Sequence, residues 1–194
     1  MPRRMPHPRP KLVLLLCLLA GLLALTGCEN TREKDAGREG KPEEIGHIEY
    51  NVYITRELNL QDVEDKGYYK GPEAPPGFAL YGVFLTACNP NKEVNAPHWL
   101  AASRFEIEDT QGNKFTPLPL PADNLWAYKA RPLKQNACIP KQGTLASSGP
   151  TNGSLLIFKL PLATLENRPL DLIITSPPQG PDQTRDEGVI ELDI

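Results

Sequence analysis

From Ile48 the chain alternates apolar and polar positions, with Ile48, Tyr50, Val52 and Ile54 interleaved with Glu49, Asn51, Tyr53 and Thr55. A period of two turns one set toward a core and the other away, so a half-buried strand is expected here. Phe78 to Cys88 is apolar on both parities, with Phe84 on one side and Tyr81, Val83 and Leu85 on the other, as an interior strand requires. Asn89-Pro90-Asn91 stops it. Further strands are expected at Arg104 to Asp109, at Lys114 to Thr116 after a hairpin through Gln111-Gly112-Asn113, at Ser154 to Leu160, at Leu170 to Thr175 and at Val189 to Ile194. None of these runs contains a proline although the chain has 21, and proline cannot donate to a ladder. Beyond residue 28 there is no clear helical period over a long stretch; single turns fit Asp62 to Lys66 and Leu162 to Asn167. The pattern reads as an all-β antiparallel sandwich.

The first residues follow a different rule. Arg3, Arg4, Arg9 and Lys11 precede an apolar run from Leu12 to Leu25, and small residues follow, as in a secretion signal. A helix over that run reaches only about 21 Å, short of the roughly 30 Å hydrocarbon core. Leu25-Thr26-Gly27-Cys28 resembles the lipobox of bacterial lipoproteins. The resemblance implies that residues 1–27 are removed, that Cys28 receives a diacylglyceryl group, and that the protein is lipid-anchored at the extracytoplasmic face of the cell membrane. Two acyl chains suffice for stable anchoring where one does not. Glu29 to Glu44 carries ten charged residues in sixteen with Ala36 its only apolar side chain, so residues 28–46 are expected to be a disordered, solvated linker. Residues 47–194 form the expected domain.

Composition narrows the function. Of the 194 residues 40% are hydrophobic and 23% charged, which suits a globular domain. Beyond the signal there are 24 acidic against 17 basic side chains, a balance that argues against binding nucleic acid. The order Leu80-Tyr81-Gly82-Val83-Phe84-Leu85-Thr86, Asn89-Pro90-Asn91, Arg104-Phe105-Glu106-Ile107-Glu108-Asp109 with Gly112, Gly153 to Pro161 and Leu170 to Ile174 resembles bacterial lipoproteins carrying an immunoglobulin-like domain of unknown function. That family is related in fold to small secreted mycobacterial antigens. The resemblance covers roughly 48–176 and implies a fold and a location, with no reaction. Pro117 to Pro150 departs from it by its length.

Cys17 leaves with the expected signal and Cys28 is the expected lipid site, which leaves Cys88 and Cys138. Two thiols outside the cell most simply form a disulfide. The competing reading joins Cys88, His98 and Cys138 in a metal site, without the paired-ligand spacing of zinc centres. Met1 and Met5 are the only methionines and precede the cleavage point, which excludes a methionine-ligated copper site in the mature domain. Gly-x-Ser-x-Gly and His-Glu-x-x-His patterns are absent. Asp62, Glu64 and Asp65 cluster without the alternation of a calcium loop. No catalytic residue, metal or cofactor is assigned.

The segment Pro117 to Pro150 places Trp126 and Tyr128 beside Lys129, Arg131 and Lys134, and large aromatics beside cations are common at recognition surfaces. Trp126 could equally cover the sandwich, and Trp99 shares that ambiguity. The reading is a membrane-anchored, non-catalytic binding or adhesion module with Trp126, Tyr128, Lys129, Arg131, Lys134 and Trp99 as contact candidates. The expected partner is a cell-wall polymer or another surface protein. The alternatives are a small-ligand carrier feeding a transporter and a carboxylate-based hydrolase.

Overall fold

The computed structural model describes residues 36–93, 97–149 and 151–194; the expected signal segment, Cys28 and the first linker residues lie outside them. In chain order the first elements are β1 (Gly37–Arg38), β2 (Glu43–Ile45), β3 (Ile48–Glu57), a short helix α1 (Val63–Tyr68) and β4 (Phe78–Cys88). β5 (Trp99–Leu100), β6 (Arg104–Glu108), β7 (Lys114–Phe115), β8 (Pro132–Leu133) and β9 (Cys138–Ile139) follow. Then come α2 (Leu145–Ser148), β10 (Ser154–Pro161), a 3-10 turn (Leu162–Glu166), β11 (Leu170–Thr175) and β12 (Glu187–Leu192). One sheet has the order β1-β12-β11-β6-β7; the other has β10-β4-β3-β2, with β9 also paired to β4. Only β1 runs parallel to its neighbour among the named strand pairs.

The two sheets face each other across an apolar layer. Ile48, Tyr50 and Val52 of β3, Val83 and Leu85 of β4, and Phe158 and Leu160 of β10 meet Ile107, Leu172, Ile174 and Ile190 from the opposite sheet. Burying each such side chain contributes about 1.5–3 kcal/mol. The all-β antiparallel sandwich is therefore the observed fold. β4 is two-sided as its sequence requires: Tyr81, Val83 and Leu85 point into this layer, while Leu80 and Phe84 join a second cluster on the outer face with Leu58, Leu155 and Ile157. Tyr68 and Tyr69 cover that second cluster, with Leu118, Leu120 and Trp126 packed against it. The helical turns also appear, α1 beginning where Asp62 accepts a hydrogen bond from the Glu64 amide.

Two expectations need correction. The alternation of β3 does not carry through to Ile54, because the register against β4 shifts between Val52 and Ile54. This bulge leaves Tyr53 and Ile54 exposed and turns Thr55 inward. The charged linker is also shorter than residues 28–46. Gly37 and Arg38 pair with Ile190 and Glu191, and Glu43 to Ile45 pair with Tyr50 to Ile48 across a two-residue turn. Gly46 and His47 both have positive φ there, the conformation that such a hairpin demands. A Cβ on Gly188 would lie 2.3 Å from Ile45 Cδ1, so the missing side chain makes room for buried Ile45 between the sheets. Composition underestimates this region because an edge strand is held by backbone hydrogen bonds, which any residue but proline can supply.

The hairpin between β6 and β7 is organised by Asp109. Its buried carboxylate accepts from the Gln111 and Asn113 amides and from the Asn113 and Asn167 side chains. Burial by itself would raise its pKa, yet these donors outweigh that and hold it below the ordinary value.

Candidate functional site

The segment 117–149 is the part of the chain that the strand pattern left open, and it has two destinations. Its first half seals the free edge of β10. The Leu155 amide donates to the Trp126 carbonyl at 2.7 Å, the Tyr128 amide donates to the Leu155 carbonyl at 3.0 Å, and the Leu118 amide donates to the Ile157 carbonyl at 2.6 Å. An unpaired sheet edge is thereby covered. Trp126 lies edge-on to Tyr68, with centroids 4.7 Å apart, and Tyr68 is edge-on to Phe84 in turn. The indole sits so close over Gly149 that a Cβ there would be 2.6 Å from it.

Tyr128 turns into the interior. Its ring meets Phe105 edge-on and its hydroxyl donates to the Ala102 carbonyl at 2.9 Å, while the Ala102 amide donates to the Tyr50 hydroxyl at 2.7 Å. Burial pushes the Tyr50 phenol up to about 12, and burial together with Tyr50 pushes Tyr128 well above the ordinary range. Both stay protonated and join the segment to the core. Lys129 Nζ donates to the Ala122 carbonyl at 2.5 Å. Trp99 stacks on His47 with centroids 4.0 Å apart. Lys134 is exposed. Trp99 pairs with Leu133, between Arg131 and Lys134, whereas Tyr128 and Trp126 pack against the two apolar clusters, so the six contact candidates divide between two places.

Arg131 leads to the second destination. β9 continues alongside β4 beyond the end of β10, with Cys138 directly opposite Cys88, and the two cysteines form a disulfide with S–S 2.12 Å. The pairing consumes both thiols of the alternative metal reading. Arg131 donates to the Cys138 carbonyl at 2.6 Å. Around the disulfide the outer face of the β3-β4 pair opens into a cavity of about 650 Å³, lined by Tyr53, Thr86, Arg131, Asn136, Lys141 and Asn152 among others. Asn136 and Asn152 hold positive φ values of 55° and 44°. Asparagine tolerates that region better than other residues with a Cβ, and such conformations gather at functional sites.

Among the described residues neither Arg131 nor Lys141 is ion-paired, and the side-chain amides of Asn136, Gln142 and Asn152 make no hydrogen bond. By contrast, the acidic cluster is spoken for. Asp65 is buried against Arg56 and accepts from the Asn59 amide, Glu64 accepts from Arg56 and the Tyr68 hydroxyl, and Asp62 caps α1. No group of three or more potential metal-ligating side chains occurs among the described residues, and no helix there is long and apolar enough to cross a membrane.

Sequence reasoning reached Arg131 and missed Tyr53, Asn136, Lys141, Gln142 and Asn152. The available signal was charge order: residues 124–165 contain five cations and no acid, in a described chain where acids outnumber bases. No protein-family model, curated protein or solved structure matches the chain.

Proposed function

We propose that the chain is a membrane-anchored, non-catalytic binding module outside the cytoplasm, presented on an immunoglobulin-like sandwich. The observation that carries the binding role is the cavity on the β3-β4 face, where Lys141 and the carboxamides of Asn136, Gln142 and Asn152 stand without protein partners and Arg131 is held by the Cys138 carbonyl of a disulfide-pinned strand. Lys141, Asn136, Gln142 and Asn152 are exposed around this recess, and a few polar groups placed about a concave surface suit a ligand. Among the described residues the lining holds no carboxylate, imidazole or free thiol to pair with the Lys141 amine or the Tyr53 phenol, and Ser147 is engaged in the capping box of α2. The immunoglobulin-like assignment draws on the strand order: β3, β4 and β10 form one layer and β7, β6, β11 and β12 the other, a Greek-key wiring of consecutive strands split between sheets.

The anchoring rests on the basic stretch, apolar run and lipobox ending at Cys28. Metabolic labelling with palmitate tests it directly. Label in the wild-type chain and none in Cys28→Ser, which should leave the membrane fraction, is the expected result; equal fractionation of both overturns anchoring. Retention of the full chain on isolated envelope fractions tests the binding role. The cavity volume also favours a second reading, a small-ligand carrier. Native mass spectrometry of protein from its own host would show a retained small molecule for a carrier and a bare chain for an adhesion module.

A further inference from the structure

We propose that the cavity around Cys88–Cys138 binds an acidic saccharide, a sugar unit carrying a carboxylate or phosphate, which deepens the binding-module reading and rests on it. Charge selects the anion. Residues 36–194 carry 21 acidic and 15 basic side chains, yet both charged residues lining the cavity, Arg131 and Lys141, are cations. A concave site of one sign within a surface of the other concentrates counter-charged ligands. Arg131 is held by its bond to the Cys138 carbonyl, so the remaining N–H groups of its guanidinium are oriented before a ligand arrives. Glu49, opposite Cys88 in the β3-β4 register, does not line the cavity.

Three further features select a sugar over a bare anion. The bulge in β3 exposes the Tyr53 ring at the cavity wall, 42% accessible, where it can cover the C–H face of a pyranose. Asn136, Gln142 and Asn152 offer carboxamides, each both donor and acceptor, which suit hydroxyl groups that also donate and accept. The volume of about 650 Å³ is that of a small-molecule site. β4 offers an extended peptide no edge here, because it is flanked by β3 on one side and β9 on the other, and β9 is only two residues long with its Cys138 carbonyl taken by Arg131.

The test is calorimetric titration of the full chain in detergent at low ionic strength with glucuronic acid, glucose 6-phosphate, glucose and inorganic phosphate. The two acidic sugars should bind about tenfold or more tightly than glucose and than phosphate. Lys141→Glu should weaken the acidic sugars by about tenfold, and Glu49→Gln should strengthen them by about twofold. Asn152→Gly keeps the positive-φ backbone while removing the amide, and should weaken the acidic sugars by about fivefold. Glucose binding as well as glucuronic acid, or phosphate binding as well as glucose 6-phosphate, overturns the proposal. So does the absence of binding by all four, or undiminished affinity in a folded Lys141→Glu chain. If titration fails while envelope retention persists, the cavity assignment falls and the module reading stands. If titration succeeds while envelope retention and palmitate labelling both fail, the reverse holds.

Discussion

The outer face of the β10-β4-β3 sheet is two surfaces joined end to end. Toward the start of β4 the outward residues are Leu80 and Phe84, and the chain spends α1, the proline-rich run and Trp126 on covering them. Toward its end they are Thr86 and Cys88, and the same face stays open, bordered by Tyr53, Arg131 and Lys141. Strand pairing is continuous across both halves. Apolar surface left in water costs roughly 25 cal/mol per Å², so the first half must acquire a lid. Threonine and a disulfide impose no such demand, and a recess survives. One long segment builds the lid with its first part and the wall of the recess with its second.

Substitutions can break this division, beginning where the largest effect is expected. Phe84→Ala, at a fully buried position in the covered half, should cost about 4 kcal/mol in urea unfolding. Replacing both Cys88 and Cys138 by Ser opens a loop with sequence separation 50, and loop-closure entropy puts the loss at about 4 kcal/mol before native strain is subtracted. A loss confined to ligand affinity, with stability unchanged, would show that the disulfide shapes the recess without bracing the fold. Trp126→Ala exposes the second cluster and should cost about 2–3 kcal/mol while leaving saccharide titrations unaltered. If it instead abolished binding at full stability, the lid would be the contact surface and the division would fail. The smallest stability effect is expected for Tyr53→Ala, within about 1 kcal/mol because the residue is 42% accessible and belongs to neither apolar cluster, together with a loss of sugar affinity.

Acid adds a control outside both halves. The donors on Asp109 depress its folded pKa, so its contribution is present above the ordinary aspartate range and is lost as pH falls through the depressed value. Asn113→Ala should move the Asp109 carboxyl titration, followed by NMR, upward.

Legibility in the sequence followed the origin of the holding force. β3, β4, β6, β10 and β11 were plain because side-chain burial imposes period two on them. β1, β2, β5, β8 and β9 have two or three residues each and are held by backbone pairing, which leaves no periodic trace. The bulge at Tyr53 was hidden for a related reason: alternation continues through the sequence while the register against β4 slips by one residue. Among the site candidates, Trp126 and Tyr128 stood out by size, yet size marks burial as readily as recognition. The small amides that line the recess carry no such mark.

Alternation, proline placement and the two-sided character of β4 determined by themselves that this domain is an antiparallel sandwich, because a chain that must hide apolar side chains every second residue has few other ways to do so. Cysteine number and expected location likewise pointed to Cys88–Cys138. Tertiary structure alone decided where the long segment goes, since its path depends on which half of a distant sheet face needs cover. It also decided that Tyr53, Arg131 and Lys141, far apart in the chain, border the same open recess, because closure of β9 onto β4 brings them together.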